Sequence, residues 1–240
     1  MTPYNLTDGK AQQVRGLIKS MPDEDTRLDF ASVVLIDEID AASARISEGI
    51  ARSKDSNALS TLPHFASDLQ AQISTLASSG VRPWQKGTSA AKALRSHLGL
   101  ALDASVGDAA KLARLCGAKD FVTHHLESKA LRAFQERVSG SPTVLVQEGS
   151  TPQSTAFVLA RAIGDYLVFQ SDKSCVAKTY TDRQAVGRAF AAEFMAPAEG
   201  VIAMIDEDEQ STTQVAEHYQ VPFDVVMHQY GNNYARLQDA

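Results

Sequence analysis

The sequence predicts an α+β, mostly helical protein: a small three-stranded sheet packed with helices and preceded by an N-terminal helical region. Three observations carry this expectation. Apolar residues in the first half recur at three- and four-residue steps, short β-branched and aromatic runs cluster between 120 and 148, and helix-start signals return after Ser150.

Leu28, Val33, Leu35, Ile36, Ile39, Ala42, Ile46 and Ile50 follow helical spacing, which predicts one amphipathic helix across this stretch. Asp23, Glu24 and Asp25 precede it, where the helix dipole favours negative charge. A second helix is expected over Phe65–Ala77, after a polar loop at Ser53–Ser60, so residues 1–80 form a helical hairpin region. Ser78–Gly80 and Pro83 mark a boundary, and residues 81–240 form the main domain. Within it, helices are expected at Trp84–Leu98 and at Gly107–Cys116, the latter closed by Gly117. Phe121–Leu126 and Thr143–Gln147 read as strands, and Ala130–Val138, ambiguous between strand and helix, is taken as the third. A helix over 152–169 starts at Pro152, after Ser150 or Thr151. Thr181–Gln184 and Ser211–Gln214 match the capping-box pattern, and Pro197 and Gly200 should interrupt the helix begun at Asp182. The tail, 211–236, has the cadence of a helix-turn-helix.

The 240 residues carry a net charge of −6, which argues against a general nucleic-acid binder. The tail agrees: Asp206–Glu209 is acidic and Arg236 is the only Lys or Arg beyond it, so the tail reads as packing structure. Cys116 and Cys175 are far apart and in no C-x-x-C spacing, so both are expected as reduced thiols. With neither a signal-peptide pattern nor a long apolar run, the expected location is cytoplasmic, with no membrane contact.

The helix Phe157–Phe169 is apolar almost all round, which predicts burial. Its only charges, Arg161 and Asp165, lie four apart on one face, with Ser154 on the same stripe. This frame, Ala160-Arg-Ala-Ile-Gly-Asp165, resembles the active helix of the ImmA/IrrE family of zinc peptidases, which reads Ala-His-Glu-Leu-Gly-His. Phe190-Ala-Ala-Glu-Phe-Met-Ala-Pro197 is similar to that family's Phe-Ala-Ala-Glu block. Pro83-Trp84, Gly87 and Ala93-Leu-Arg95 resemble the opening of its domain, and Thr143–Val146 the strand before its active helix.

The resemblance implies a zincin-like domain at 81–240 and a site at Arg161, Ala162, Asp165 and Gln184, with Ser154, Asp182 and Glu193 as possible pocket partners. In an active member two histidines hold zinc and the glutamate activates its water. Here the two histidine positions are Arg161 and Asp165, and the glutamate position is Ala162. Arginine stays protonated and has no acceptor, and alanine has neither donor nor acceptor. The third, acidic ligand falls near Asp182–Gln184, where Gln184 reads as a capping-box glutamine. None of the six histidines has a partner at metal-ligand spacing. The expectation is therefore a vestigial active helix in a protein without catalytic residues, metal or cofactor, with Arg161 and Asp165 paired to each other. Such a protein would bind a protein or peptide partner, and the resemblance suggests regulation in a phage, stress or mobile-element system. The alternatives are an active zinc endopeptidase with a rebuilt site, or a transcriptional regulator.

Overall fold

A computed structural model describes residues 21, 23–35, 37–75 and 80–238. A four-stranded sheet of order β1-β3-β2-β4 lies at the centre, with β1 Thr123–His124, β2 Leu131–Val138, β3 Ser141–Gln147 and β4 Lys173–Ala177. β2 runs antiparallel to both neighbours, and β1 pairs parallel with β3. The expected three strands are present. The fourth, β4, is short, begins with Lys173 and Ser174, and follows a helix that ends in a left-handed Gln170. Five residues with so polar a start give little alternation by which to recognise a strand.

The sheet has two covered faces because side chains alternate along each strand. Val144, Val146, Ala133 and Val176 face one core, built with α7 (Pro152–Phe169), α5 (Pro83–His97) and α8 (Asp182–Met195). Leu145, Phe134, Leu131 and Cys175 face the other, under α1 (Glu24–Ala31) and α2 (Ile39–Ser53). The first expected helix is thus two. Ser32 closes α1 by donating its hydroxyl to the Leu28 carbonyl; Leu28 on α1 and Leu35 in the link are exposed, while the two helices bury Phe30, Ile39, Ala42 and Ile46.

The second expected helix is also two, α3 (Leu62–Asp68) and α4 (Gln70–Thr75); Ala77 lies outside the described residues. Leu62, Ala66 and Leu69 join the α7 core, so α2 and α3 sit on opposite faces of the sheet and form no hairpin. The strand expected over Phe121–Leu126 shrinks to Thr123–His124 because Asn57 in the 53–60 loop takes over the backbone of Val122. Its side-chain oxygen accepts the Val122 N–H at 3.2 Å, and its amide donates to the Val122 carbonyl at 2.8 Å.

α6 (Ala109–Leu115) ends near Gly117, whose φ of 89° is the left-handed turn that glycine allows. Pro197 ends α8, and α9 (Ala198–Asp206) begins directly after it. Gly200 does not interrupt anything. It sits inside α9, where a Cβ would fall 2.4 Å from the Tyr219 hydroxyl. α10 (Thr212–Tyr219) and α11 (Phe223–Gln238) are joined through a left-handed Gln220, and Val215, Tyr219 and Val226 seal them onto the core. Both cysteines are buried and free, and no helix among the described residues is long and apolar enough to cross a membrane.

α5 and α8 cross at very close range. A Cβ on Gly87 would lie 2.2 Å from the Val186 carbonyl oxygen and 2.9 Å from the Phe190 nitrogen, both backbone atoms that cannot step aside. Gly87→Ala is therefore expected to pry the two helices apart and cost about 2–3 kcal/mol, read from the urea midpoint. A midpoint shift worth under about 0.5 kcal/mol would mean that the helices cross less tightly than this.

Candidate functional site: a salt-bridged buried helix

α7 forms as the sequence predicts. Thr151 is its N-cap, accepting the Ser154 N–H at 3.2 Å, and Pro152 stands at the first helical position. Ala160, Ala162, Ile163 and Leu167 are inaccessible to solvent or nearly so. Gly164 lets Phe190 of α8 lie against the helix, since a Cβ there would meet the Phe190 ring carbon Cγ at 2.3 Å. This packing sets Arg161 and Asp165 against β4 and the first turn of α8.

The two charges do not pair with each other. Asp165, 4% exposed, is held by Arg183: Nε donates to Oδ1 at 2.6 Å and Nη2 to Oδ2 at 2.7 Å. This two-pronged contact satisfies both carboxylate oxygens at once. Arg183 also donates to Asp23, the N-cap of α1, at 2.7 Å, and lies over the Phe169 ring. Burial by itself would lower the Arg183 pKa, but Asp165 and Asp23 overcome it and hold the guanidinium above its ordinary value. At Asp23 burial raises the pKa, and the Thr26 N–H and Arg183 outweigh it, leaving the carboxyl below its ordinary range.

Arg161 turns the other way. Its Nη2 donates to the Gln184 side-chain oxygen at 2.7 Å and to the Ala177 carbonyl at 3.1 Å. Gln184 is the hub of a second network. Its oxygen also accepts the Ala177 N–H at 3.1 Å, while its amide nitrogen donates to Asp29 at 2.7 Å and to the Cys175 carbonyl at 2.8 Å. Asp29, fully buried, further accepts from the Thr179 and Thr181 hydroxyls. The capping reading of this segment is therefore half right. Thr181 accepts the Gln184 N–H and starts α8, but the Gln184 side chain joins the buried network instead of closing a capping box. The Ser211–Gln214 box is complete.

Of the other residues singled out, Ser154 is half-buried near the start of α7 and Asp182 is exposed in the first turn of α8. Glu193 lies away from this network. One of its oxygens accepts from the Ala198 N–H at the start of α9 and from Gln229 of α11. Arg183, Asp29 and Asp23 went unrecognised as site residues. They stand 18, 155 and 160 positions from their partners Asp165, Gln184 and Arg183, and no local pattern links side chains so far apart.

A zinc ion does not fit these side chains. Arg161 is a cation, Ala162 has no donor atom, both Asp165 oxygens are engaged by a guanidinium, and the Gln184 oxygen already accepts two hydrogen bonds. Among the described residues no group of three His, Cys, Asp or Glu side chains is placed to hold a metal ion.

A small mixed sheet backed by a buried helix, with a second helix packed beside it, makes this an α+β domain. Residues 120–230 match the family model of the IrrE N-terminal-like domain, Peptidase M78, so this part of the chain is similar to that domain. No curated protein and no solved structure matches the chain.

Proposed function

We propose that this chain is a non-catalytic relative of the peptidases whose domain it shares, acting by binding a protein or peptide partner in a regulatory setting. One observation carries the reading. At the positions where the family places its ligands and general base, two hydrogen-bonded networks, Arg161–Gln184–Asp29 and Asp165–Arg183–Asp23, occupy the donors and acceptors. Both are anchored by α1, which the family-matched segment does not include. A cut peptide bond needs a polarised carbonyl and an activated water, and these side chains supply neither function. The resemblance to peptidases that act in phage, stress or mobile-element control suggests the same setting for a binding role.

Elemental analysis of the chain purified with added zinc, beside an assay for cleavage of an unfolded protein substrate, tests the reading. The expected result is sub-stoichiometric zinc and no cleavage. One zinc per chain, lost in Asp165→Ala together with proteolysis, would establish an active peptidase with a rebuilt site instead.

A further inference from the structure

Three arginines converge on the end of β4. Arg161 donates to the carbonyl of Ala177, the last residue of the strand, and Arg188 donates at 2.7 Å to the carbonyl of Thr179, two residues on. Arg132 arrives from β2, as the bulged residue between Leu131 and Ala133, which pair with Ala177 and Val176. Its Nη2 donates to the Ser150 hydroxyl, next to the N-cap of α7.

The cluster is short of acceptors. The Nε atoms of Arg161 and Arg132 are buried without a hydrogen-bond partner. Arg161 is 8% exposed, whereas Arg132 and Arg188 are half-buried and border solvent. Burial, followed by repulsion from Arg188 and Arg132, pushes the Arg161 pKa down to about 10, with Asp29 and Asp165 pulling the other way. Both of those carboxylates already have donors: Thr179, Thr181 and Gln184 for Asp29, and Arg183 for Asp165. A buried N–H left without an acceptor is costly, and so is a group of like charges drawn together. The group that answers both is an oxyanion, whose oxygens match the planar fork of a guanidinium.

We propose that Arg132, Arg161 and Arg188 form a binding site for an oxyanion, a carboxylate or phosphoryl group, at the end of β4 beside α7. The anion accepts from the two free Nε–H groups and neutralises the cluster. The site rests on the proposed reading that the domain binds a partner and does not cut it. Stoichiometric zinc with proteolysis would overturn that premise, whereas arginines unresponsive to anions would overturn this site alone.

Thermal unfolding of the full chain is followed while sodium phosphate or sodium succinate is titrated against sodium chloride at matched ionic strength. At saturation the productive anion is expected to raise Tm by roughly 5 °C beyond chloride. Arg188→Gln and Arg132→Gln, both at half-buried positions, are expected to weaken the response about tenfold in concentration. The Nε–H resonances of Arg161 and Arg132 should shift with the same titration. A response to phosphate alone assigns a phosphoryl ligand, to succinate alone a carboxylate, and to both a general oxyanion site. If neither anion exceeds chloride, or both variants keep the full response, the site does not exist.

Discussion

Arg183→Ala is expected to destabilise the protein by about 4 kcal/mol, because it strips Asp165 of its partner and leaves a buried carboxylate unpaired. On a chain of this size such a loss lowers Tm by on the order of 10 °C. The surface partner contributes little: Asp23 retains the Thr26 N–H at 2.7 Å and is partly solvated. The loss should therefore follow Asp165. The double variant Arg183→Met with Asp165→Leu, which removes both charges and refills the space, is expected to recover most of the stability. Guanidinium denaturation of the two variants makes the comparison. A single variant within about 1 kcal/mol of wild type, or a double variant no better than the single, would contradict a buried pair of this kind.

Gln184→Glu is expected to cost about 3 kcal/mol at neutral pH, although it changes the side chain by a single group. The reason lies in what the amide does. Its nitrogen donates at 2.7 Å to Asp29 and at 2.8 Å to the Cys175 carbonyl, and a carboxylate can donate to neither. Two buried carboxylates would then face each other across the former hydrogen bond. Arg161 offsets part of this by pairing with the new charge. Acid should rescue the variant, because a proton held between the two carboxylates re-creates the missing hydrogen bond. The new glutamate has a raised folded-state pKa, so its cost is absent at low pH and appears as pH rises through that value. Urea midpoints across the acidic range provide the check. Equal stability of variant and wild type at neutral pH would mean that Gln184 does not donate to Asp29.

Glu193 illustrates how a motif can be recognised and its role still misjudged. The Phe-Ala-Ala-Glu block is visible in the chain and ends at the expected helix stop, Pro197. The glutamate, expected as a pocket partner, instead ties α9 and α11 to α8. Burial raises its pKa, with Lys92 and its hydrogen bonds from Ala198 and Gln229 opposing. Likewise, the Arg161–Asp165 stripe was legible as a buried ionic stripe at helical spacing, but its pairing was not. Residues four apart on a helix are the natural first guess, since spacing is all that a chain displays. The Arg183 fork, which satisfies two oxygens together, is the better partner, and only folding brings it within reach of Asp165.

What the chain alone determined is everything set by neighbours a few residues away. This includes the Thr151, Thr181 and Ser211 caps, the Pro152 start, the left-handed Gly117 and the buried stripe of α7. These follow from backbone donors near helix ends and from the period of apolar side chains, which are local quantities. Tertiary structure decided where α1 lies, that Gln184 is a hub and not a cap, which arginine neutralises Asp165, and that Arg132, Arg161 and Arg188 meet at β4. The physical reason is distance along the chain. A buried charge must find an acceptor or a countercharge wherever the fold brings one, and here the partners come from as far as 160 residues away.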